Sequence, residues 1–587
     1  MAALIWSITV LYFLVDFSCA ISPRAIEWSS KVYGPDGPWQ AVSIAIGTPG
    51  QKIDLYPGGF FNSVIYASSL CATVCDAQVA GLYDPSASTT QFSFPEVPTL
   101  TNSFSSGVGG VNASFIFDNL NVLSTGSDPP AVVPSFDMQV WTAGFNVLPN
   151  GVKYPLEIGN LALGARDVNQ TWQRGAGQPD INGTMLPSGL FAAGLVPSNS
   201  YGLHIGSVAL SIPASLYIGG YDQTRVLGQV STQPYGLNFL PIDLLDIGIG
   251  VAVGESPFGF SSRGDLLAKG NSTIGSALQV HVDSVAPYLN LPQSTCDALA
   301  LDLPVTFQPD YNIYFWNTSD PLYEKIISSP SFLGFTFRLN NSISQNMTIN
   351  APFSLLNLTL TSPLVSEPTQ YFPCYPITDS SPYILGKAFL QAAFVGVTWQ
   401  TNDDGVWFLA QAPAPNTPTP SLGVVTTIGP ADKFIVASDN SWIDTWSHTW
   451  TPIGTNTINI PTAGTTSLAS STGASSNTSA RHGISNGAIA GVIVGTVSVL
   501  IALGLGCYFT KMKLRSRVRS SSSMQRAGVA ASSLSQGSEL ENKWAADYGP
   551  WKTDGTTTKG AMELHNFYKR PRLSYSLARS GHFELEG

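Results

Sequence analysis

Hydrophobic residues up to about position 412 are grouped in short runs that favour β-strands. The runs are rich in β-branched and aromatic residues, are bounded by Gly, Pro and Asn, and include WQAVSIAI, SLYIGG, FTFRL, MTINAPFSLLNLTLTS and FVGVTW. Such runs are typical of strands separated by turns. Helical periodicity is scarce, and residues 293–301 are the clearest short helix. The pattern predicts a protein of the all-β class.

One apolar run is much longer than the rest. Residues 487–509 carry no charge, and about 20 apolar residues in a helix cross the ~30 Å hydrocarbon core of a bilayer. Basic residues follow directly at Lys511, Lys513, Arg515, Arg517 and Arg519, and such clusters mark the cytoplasmic side. A buried core helix is the alternative, which this length and asymmetry disfavour. We therefore predict a C-terminal transmembrane helix at 487–509 and a disordered cytoplasmic tail at 510–587.

The other end of the chain predicts export. Residues 1–20 contain a short apolar stretch and end in Ser18, Cys19 and Ala20, small residues that a signal peptidase favours.

Charge is distributed unevenly along the chain of 587 residues, whose net charge is −11. Residues 511–587 hold 13 Lys or Arg against 7 Asp or Glu, a net charge of +6, so that the rest of the chain carries −17. This asymmetry fits a single-pass type I protein of the plasma membrane or cell surface, with an extracellular ectodomain, and gives no indication of nucleic-acid binding.

Residues 413–486 differ from the strand-rich part in composition. APAPNTPTP and PTAGTTSLASSTGASSNTSA are typical of an extended Ser/Thr/Pro-rich stalk. Between them, residues 433–450 are apolar and include Trp442, Trp446 and Trp450. This segment either packs back on the body or is an exposed binding element. We prefer packing, because exposed clusters of Trp reduce solubility.

Nine Asn-X-Ser/Thr motifs predict N-glycosylation of an exported ectodomain. All of them lie between the signal peptide and the membrane helix. They are Asn112, Asn169, Asn182, Asn271, Asn317, Asn340, Asn346, Asn357 and Asn477.

Two segments look like copies of one motif. The second copy, VHVDSVAPYLNLP at residues 280–292, carries Asp283 at the end of an apolar run. The first, IAIGTPGQKIDLYPGGFFNSVIYASSLC at residues 44–71, has Gly58 and then Gly59 at the matching position. Only one copy therefore retains a carboxylate.

These segments resemble the active-site loops of the pepsin-like aspartic peptidases, and the resemblance covers roughly residues 30–412. IGTP followed by Gln51 is similar to the approach to the family's first loop, and SLYIGGYDQTRVLG and YILGKAFLQAAFVGV are further landmarks in the same order. Divergent fungal, membrane-anchored members are the most similar. The resemblance implies a bilobal fold of two related six-stranded, barrel-like lobes, at 21–232 and 233–412, around a central cleft.

The family's chemistry requires two Asp residues that share one proton, because like charges so close cannot both ionise comfortably. The resemblance places Asp283 as the second Asp and Gly58 at the position of the first. Asp54 lies four residues earlier on an extended segment, roughly 13 Å along the strand at about 3.3 Å per residue, and is therefore a poor substitute. We predict a catalytically deficient homologue, a pseudopeptidase.

The cleft shows further departures from the family pattern. Val285 and Pro287 replace a Gly and a hydroxyl residue of the second loop, and the flap segment NSFSSGVGGVNASFIFD (residues 102–118) lacks the usual Tyr. His281 lies two residues before Asp283, so that strand alternation would place both on one side, where His281 either pairs with the acid or bonds a neighbouring strand. The candidate cleft-lining residues are Gly59, Ser284, Phe104, Ser106 and His281.

Four Cys remain between the signal peptide and the membrane helix, and four allow three pairings. We choose Cys71–Cys75 and Cys296–Cys374, because each pair then stays within one lobe; the family's first disulfide also falls at Cys71. No His residues lie at ligand spacing around them, so we predict neither a metal site nor a cofactor.

We favour a non-catalytic cell-surface protein that binds or senses an extended peptide in its cleft by backbone pairing. An active or residually active aspartic-type endopeptidase with a rearranged first loop is the competing hypothesis, and a purely structural role is the third. The basic segment RSRVRSSSS at 515–523 predicts contact with anionic membrane lipid. Its serines also allow the sharper hypothesis of a phosphorylation-controlled electrostatic switch.

Overall fold

The structure is a computed structural model of the chain. It describes residues 21–71, 75–93, 100–105, 107–123, 130–172, 177, 179–236, 239–340, 345–400, 405–417 and 424–454, with the backbone alone at 100–105. All of these residues belong to one compact unit. The predicted signal peptide, membrane helix and cytoplasmic tail lie outside the described residues, as do Ser106 and Asn477.

Strands dominate the described part of the chain. Those of the first half are β1 (Arg24–Ala25), β2 (Trp28–Tyr33), β3 (Trp39–Ile46), β4 (Gln51–Pro57), β5 (Ser63–Tyr66), β6 (Phe92–Ser93), β7 (Leu100–Ser105), β8 (Val108–Val122), β9 (Ala131–Val147), β10 (Lys153–Tyr154), β11 (Gly159–Leu161), β12 (Asn169–Trp172), β13 (Ile181–Thr184), β14 (Ser200–His204), β15 (Ser215–Ile218), β16 (Gly220–Asp222) and β17 (Leu227–Gln233).

The second half continues with strands and a few helices. The strands are β18 (Leu240–Val251), β19 (Leu278–Val282), β20 (Leu289–Pro292), β21 (Val305–Gln308), β22 (Ile313–Trp316), β23 (Ser331–Arg338), β24 (Asn346–Pro352), β25 (Leu358–Leu360), β26 (Thr369–Phe372), β27 (Cys374–Ile377), β28 (Ile384–Leu385), β29 (Ala393–Thr398), β30 (Val406–Gln411) and β31 (Val425–Thr427). The α-helices of the described residues are α1 (Leu186–Ala192), α2 (Gln293–Ala300), α3 (Pro321–Ser328), α4 (Lys387–Leu390) and α5 (Trp442–Thr445). The all-β prediction is confirmed, and α2 is the short helix expected at residues 293–301.

The same four-strand arrangement occurs twice. In the first, repeat A, β4 runs parallel to β11, β11 is antiparallel to β5, and β5 runs parallel to β9. In the second, repeat B, β19 runs parallel to β28, β28 is antiparallel to β20, and β20 runs parallel to β27. Repeat A lies within a 12-stranded sheet and repeat B within a 7-stranded sheet. The fold thus repeats one local topology in each half of the chain.

A third sheet joins the two halves. Its six strands have the order β1-β15-β14-β29-β30-β17, so that β14 of the first half pairs directly with β29 of the second. β29 is buried along its whole length, which explains why its sequence, AFVGVT, lacks the polar alternation of a half-exposed strand. Smaller sheets contain β21, β22, β25 and β26 in one case and β16 with β31 in the other.

The Trp-rich segment at residues 424–454 packs on this body. β31 pairs with β16, and an isolated bridge joins Ile453 to Glu255. Trp446 is only 1% exposed, and its ring stacks on Trp450 at a centroid distance of 4.9 Å. Of the two alternatives for this run of the sequence, packing is therefore the one observed, and these residues do not form part of an extended stalk.

Candidate functional site

The first strand of repeat A and the first strand of repeat B end at equivalent positions in the site. In repeat A, Gly58 follows β4 and donates its amide N–H to the carbonyl of Leu161, at the end of β11, over 2.9 Å. In repeat B, Asp283 follows β19 and donates its amide N–H to the carbonyl of Leu385, at the end of β28, over 3.3 Å. Gly58 and Asp283 therefore occupy equivalent positions of the two repeats, and only one of them carries a carboxylate.

The loop after β19 holds the carboxylate of Asp283. Its Oδ1 accepts a hydrogen bond of 2.9 Å from the amide of Val285. Burial raises the pKa of Asp283, and the Val285 hydrogen bond and the charge of Lys387 offset only part of that rise. Burial also raises the pKa of Tyr201, and the negative charge of Asp283 adds to the effect. Asp283 is thus a partly buried acid whose neutral form is favoured by its surroundings.

A buried lysine is the charged neighbour of Asp283. Lys387 is the first residue of α4 and only 5% exposed, and its Nζ donates a hydrogen bond of 3.0 Å to the carbonyl of Val285. The same Nζ lies 3.9 Å from the ring centre of Tyr56 and 5.4 Å from that of Trp39. The negative faces of aromatic rings stabilise a cation at these distances. Lys387 therefore has a fixed place in the site.

The charged neighbour of Asp283 is a cation, Lys387, whereas in a carboxylate pair it is a second acid. Burial lowers the pKa of Lys387 to about 8, against the charges of Asp36, Asp283 and Glu157, which raise it. A cation favours the ionised form of a neighbouring carboxyl, whereas a second carboxylate would favour a shared proton. Sequence analysis did not identify Lys387 as a site residue. The signal was present, because it is the one charged residue in YILGKAFLQAAFVGV.

Position 58 accepts a side chain only if Ser284 moves. Ser284 Oγ donates a hydrogen bond of 2.7 Å to the carbonyl of Pro57, and a Cβ on Gly58 would overlap that Oγ. The carbonyl of Gly58 accepts a hydrogen bond of 3.1 Å from Asn160 Nδ2. The next residue, Gly59, has a φ of 86°, in the left-handed region that favours glycine. Repeat A therefore presents backbone where repeat B presents Asp283.

A small cavity lies beside these groups. Its walls include Trp39, Tyr56, Ser284 and Lys387, and it has room for about one water molecule. A larger ligand would have to lie over this cavity rather than in it.

The hypothesis that His281 pairs with Asp283 is wrong. The ring of His281 stacks on Phe239, with centroids 4.2 Å apart and planes inclined by 18°. Burial lowers the pKa of His281, and no hydrogen bond joins it to Asp283 in the described structure. Strand alternation predicts on which face of β19 His281 lies. It does not predict that Phe239 covers that face and stacks on the His281 ring.

Asp54 is not free to replace the missing acid. Its carboxylate accepts hydrogen bonds from the hydroxyls of Tyr33 at 2.6 Å, Ser29 at 2.5 Å and Ser43 at 2.5 Å. Asp54 is only 5% exposed, so these three bonds satisfy a buried charge. All three bonds come from β2 and β3, and the role of this carboxylate is structural.

The segment that resembles the flap is a hairpin of β7 and β8, in which Ser105 is opposite Val108. Phe104 lies on β7, for which the structure describes the backbone. In the second loop, Val285 is not among the non-glycine residues with positive φ. Its backbone therefore suits a β-branched residue where the family pattern has Gly.

The two predicted disulfides are confirmed. Cys71 pairs with Cys75 and Cys296 with Cys374, at Cα separations of 5.7 and 5.8 Å. The second bond ties α2 to β27 of repeat B. Of the predicted glycosylation sites, the exposed ones are Asn182, Asn317 and Asn346, and the partly exposed ones are Asn112, Asn169, Asn271, Asn340 and Asn357.

No group of three or more His, Cys, Asp or Glu in the described residues is arranged to hold a metal ion. Within the same residues, no helix is both long and apolar enough to span a membrane.

No protein-family model matches this chain, and no curated protein matches it. The pepsin-like relationship therefore stays a prediction from the sequence.

Proposed function

We propose that this chain is a non-catalytic relative of the pepsin-like aspartic peptidases, with two lobes divided near residue 232, whose cleft holds an extended peptide. The twofold occurrence of one four-strand topology supports the bilobal part of the proposal. The observation that carries the functional part is the filled space at Gly58: the hydroxyl of Ser284 lies where a partner side chain for Asp283 would have to begin.

The chemistry of the site supports binding rather than cleavage. In a two-carboxylate hydrolase, one group activates water while the other, protonated, hydrogen-bonds the scissile carbonyl. Here the charge that acts on Asp283 is the ammonium of Lys387. A lysine cannot share a proton with Asp283 in the way that a second carboxyl does. Losing acid–base catalysis costs about 10²–10⁴-fold in rate.

An extended peptide suits the free edge of β7 in the hairpin that resembles the flap. In the described residues β7 pairs with β8 alone, so that one edge of β7 presents unpaired backbone groups. Peptides commonly add to such edges through main-chain hydrogen bonds.

The setting is a further part of the proposal. The apolar run at residues 487–509 with its basic flank, the apolar start of the chain and the glycosylation motifs support a type I glycoprotein of the cell surface. A ligand held by the ectodomain would then be sensed from outside, and the basic segment would contact anionic lipid inside.

An active or residually active aspartic-type endopeptidase is the second candidate. The carboxyl of Asp283 favours it, because desolvation raises its pKa, as in general acids that work at acid pH. This candidate requires a second acid in the cleft, which substrate binding would have to bring there.

Cleavage and binding can be measured on the same full-length protein. We would incubate it at acid pH with a denatured protein and with a library of photo-crosslinkable peptides, with and without a transition-state analogue of aspartic peptidases. We expect crosslinks to β7 and to the loop after Asp283, and no cleavage. The variant Asp283→Asn should give the same cleavage and crosslinking products as the wild type. The matched control is Asp310→Asn, at an exposed position.

Two results would contradict the proposal. Inhibitor-sensitive cleavage that persists in Asp310→Asn and disappears in Asp283→Asn would establish the peptidase. If no peptide crosslinks to the cleft, the peptide-binding role is wrong, and the structural role would gain support.

A further inference from the structure

A second cavity lies where the Trp-rich segment packs on the body, at the start of β17, along β24 and at the turn into α5. Its volume is about 270 Å³. Ligand pockets for drug-sized molecules are roughly 300–1,000 Å³, so this cavity suits a ligand of about one ring. Its polar lining consists mainly of amide and hydroxyl side chains, and one aromatic side chain closes it. These are Gln229, Thr348, Asn350, Asn440, Ser441 and Trp442.

The lining residues include no charged side chain. The rim is open, since Gln229, Thr348 and Ser441 are exposed, and no lining residue offers an opposite charge that would favour a charged ligand. The side-chain amides of Gln229, Asn350 and Asn440 make no hydrogen bond to other described residues, and each offers both donors and acceptors. The cavity therefore has unused capacity for a neutral ligand with several hydroxyls.

Two walls of the cavity are held in place from behind. The buried side chain of Gln411 accepts a hydrogen bond of 2.7 Å from the amide N–H of Asn350 and donates one of 3.1 Å to its carbonyl. The ring of Trp442 packs edge-to-face against Phe332 at 5.8 Å and against Trp450 at 5.4 Å. These contacts reduce the entropy that the site would lose on binding.

We propose that this cavity binds one neutral pyranose ring. The C–H face of a pyranose is apolar and packs on an aromatic side chain such as Trp442. Each hydroxyl of the sugar can both donate and accept hydrogen bonds, as can the side-chain amides of Asn350 and Asn440. The size of the cavity limits the bound part to a single ring, and the lack of charge excludes sugar acids and phosphates.

The sugar has two possible sources. Asn346, Met347 and Thr348 form a glycosylation motif on β24, and Met347 and Thr348 line the cavity. Alternate residues of a strand share a face, so that Asn346 projects on the same side as Thr348 and Asn350. A glycan on Asn346 could fill the cavity from within the same chain. A glycan of another molecule could fill it otherwise.

The test uses full-length protein purified without sugar-based detergents. Glucose, mannose, N-acetylglucosamine and their short oligomers are titrated by saturation-transfer NMR and Trp fluorescence, with glucuronic acid as the charged comparison. We expect saturable binding of a neutral sugar but not of glucuronic acid. Replacing Asn350 and Asn440 by Ala should weaken it about tenfold or more, because each removes hydrogen bonds to the sugar.

Control variants separate binding from folding and identify the source. Gln279→Ala removes an exposed amide elsewhere and should leave binding unchanged, and Trp442→Phe should weaken binding while keeping an apolar wall. If Asn346→Gln strengthens binding of free sugars, the chain's own glycan occupies the cavity; if it has no effect, the ligand comes from another molecule. The proposal is wrong if no neutral sugar binds to the Asn346→Gln protein, if glucuronic acid binds equally well, or if the double Ala variant binds normally.

Discussion

Ser284 donates a 2.7 Å hydrogen bond to the carbonyl of Pro57 and thereby joins repeat B to repeat A one residue before Gly58. The Ser284 hydroxyl can hold this position because residue 58 is a glycine: a Cβ there would overlap that hydroxyl. The hydroxyl stabilises the arrangement in which Asp283 has no carboxylate partner. Rebuilding a carboxylate pair therefore also requires the Ser284 hydroxyl to give up this bond.

The substitution Gly58→Asp alone should destabilise the protein and restore no cleavage. Overpacking of this kind costs about 1–3 kcal/mol, and the φ of 154° at Gly58 adds strain for any other residue. The double variant Gly58→Asp with Ser284→Gly should recover the steric part of the loss. Chemical denaturation measures both.

The control for this prediction is Gly151→Asp. Gly151 has a φ of 85° but nothing within 4 Å of a built Cβ, so that it isolates the cost of the backbone from that of the overlap. If Gly58→Asp is no more destabilising than Gly151→Asp, the overlap with Ser284 is not what excludes a side chain.

Replacing Lys387 by Met should change how stability depends on pH. The pKa of Lys387 is lowered from 10.5 to about 8 by burial, so that between these pH values the unfolded chain binds more protons than the folded one. Stability contributed by this group therefore rises with pH from about 8 to about 10.5. The Lys387→Met protein should lack that rise, and thermal unfolding between pH 7 and pH 10 measures it.

The matched control is Lys153→Met. Lys153 also lies over an aromatic ring, 4.2 Å from the centre of Phe145, but its side chain is exposed. This variant should retain the wild-type profile. An unchanged profile in Lys387→Met would show that Lys387 is protonated in both states across this range.

Local pattern was enough to predict strands and helix α2, because periodicity and turns decide them, whereas the two disulfides were predicted from the lobes that the family resemblance implies. The site depends on distant pairs. Ser284 and Pro57 are 227 residues apart in sequence, and Lys387 and Val285 are 102 apart. No local rule brings such residues together, since the packing of whole sheets does so. Lys387 was therefore missed, although a single charge in an apolar run marked it.

His281 shows where strand alternation ceases to be informative. The two-residue period correctly separates the faces of β19, but it says nothing about which element covers a face. Phe239, just before β18, supplies the stacking partner. The Trp-rich segment is the opposite case, because the solubility cost of exposed Trp residues was sufficient to favour packing.

Trp446→Ala should detach the segment at residues 424–454 from the body. Trp446 is 1% exposed and belongs to the hydrophobic core of the body, and large-to-small changes at such aromatic positions cost about 3–5 kcal/mol. Limited proteolysis should cut this segment much faster in the variant. Ile443→Ala, in helix α5 just before Trp446 but 43% exposed, should be cut like the wild type. Equal rates for both variants would contradict the anchoring role of Trp446.

Asp137 joins the β12–β13 hairpin to β9 through a buried carboxyl. Its Oδ2 accepts a hydrogen bond of 2.9 Å from Trp172 Nε1, and its Oδ1 has no partner in the described part of the chain. Gly183 makes room for this group, because a Cβ there would lie 2.5 Å from Oδ2. Burial raises the pKa of Asp137 from 3.8 to about 7, and the bond from Trp172 lowers it by less.

The folded protein therefore binds a proton at Asp137 that the unfolded chain has already lost between pH 4 and pH 7. The stability from this group is complete below about pH 4 and is lost as the pH rises through 7, a change of at most roughly 4 kcal/mol for three pKa units. Asp137→Asn keeps an acceptor for Trp172 without the charge, so its unfolding temperature should fall much less between pH 5 and pH 8 than that of the wild type. Asp310→Asn removes an exposed carboxylate and should follow the wild type. If Asp137→Asn and Asp310→Asn show the same pH profile, Asp137 does not titrate in this range, and water must reach its second oxygen.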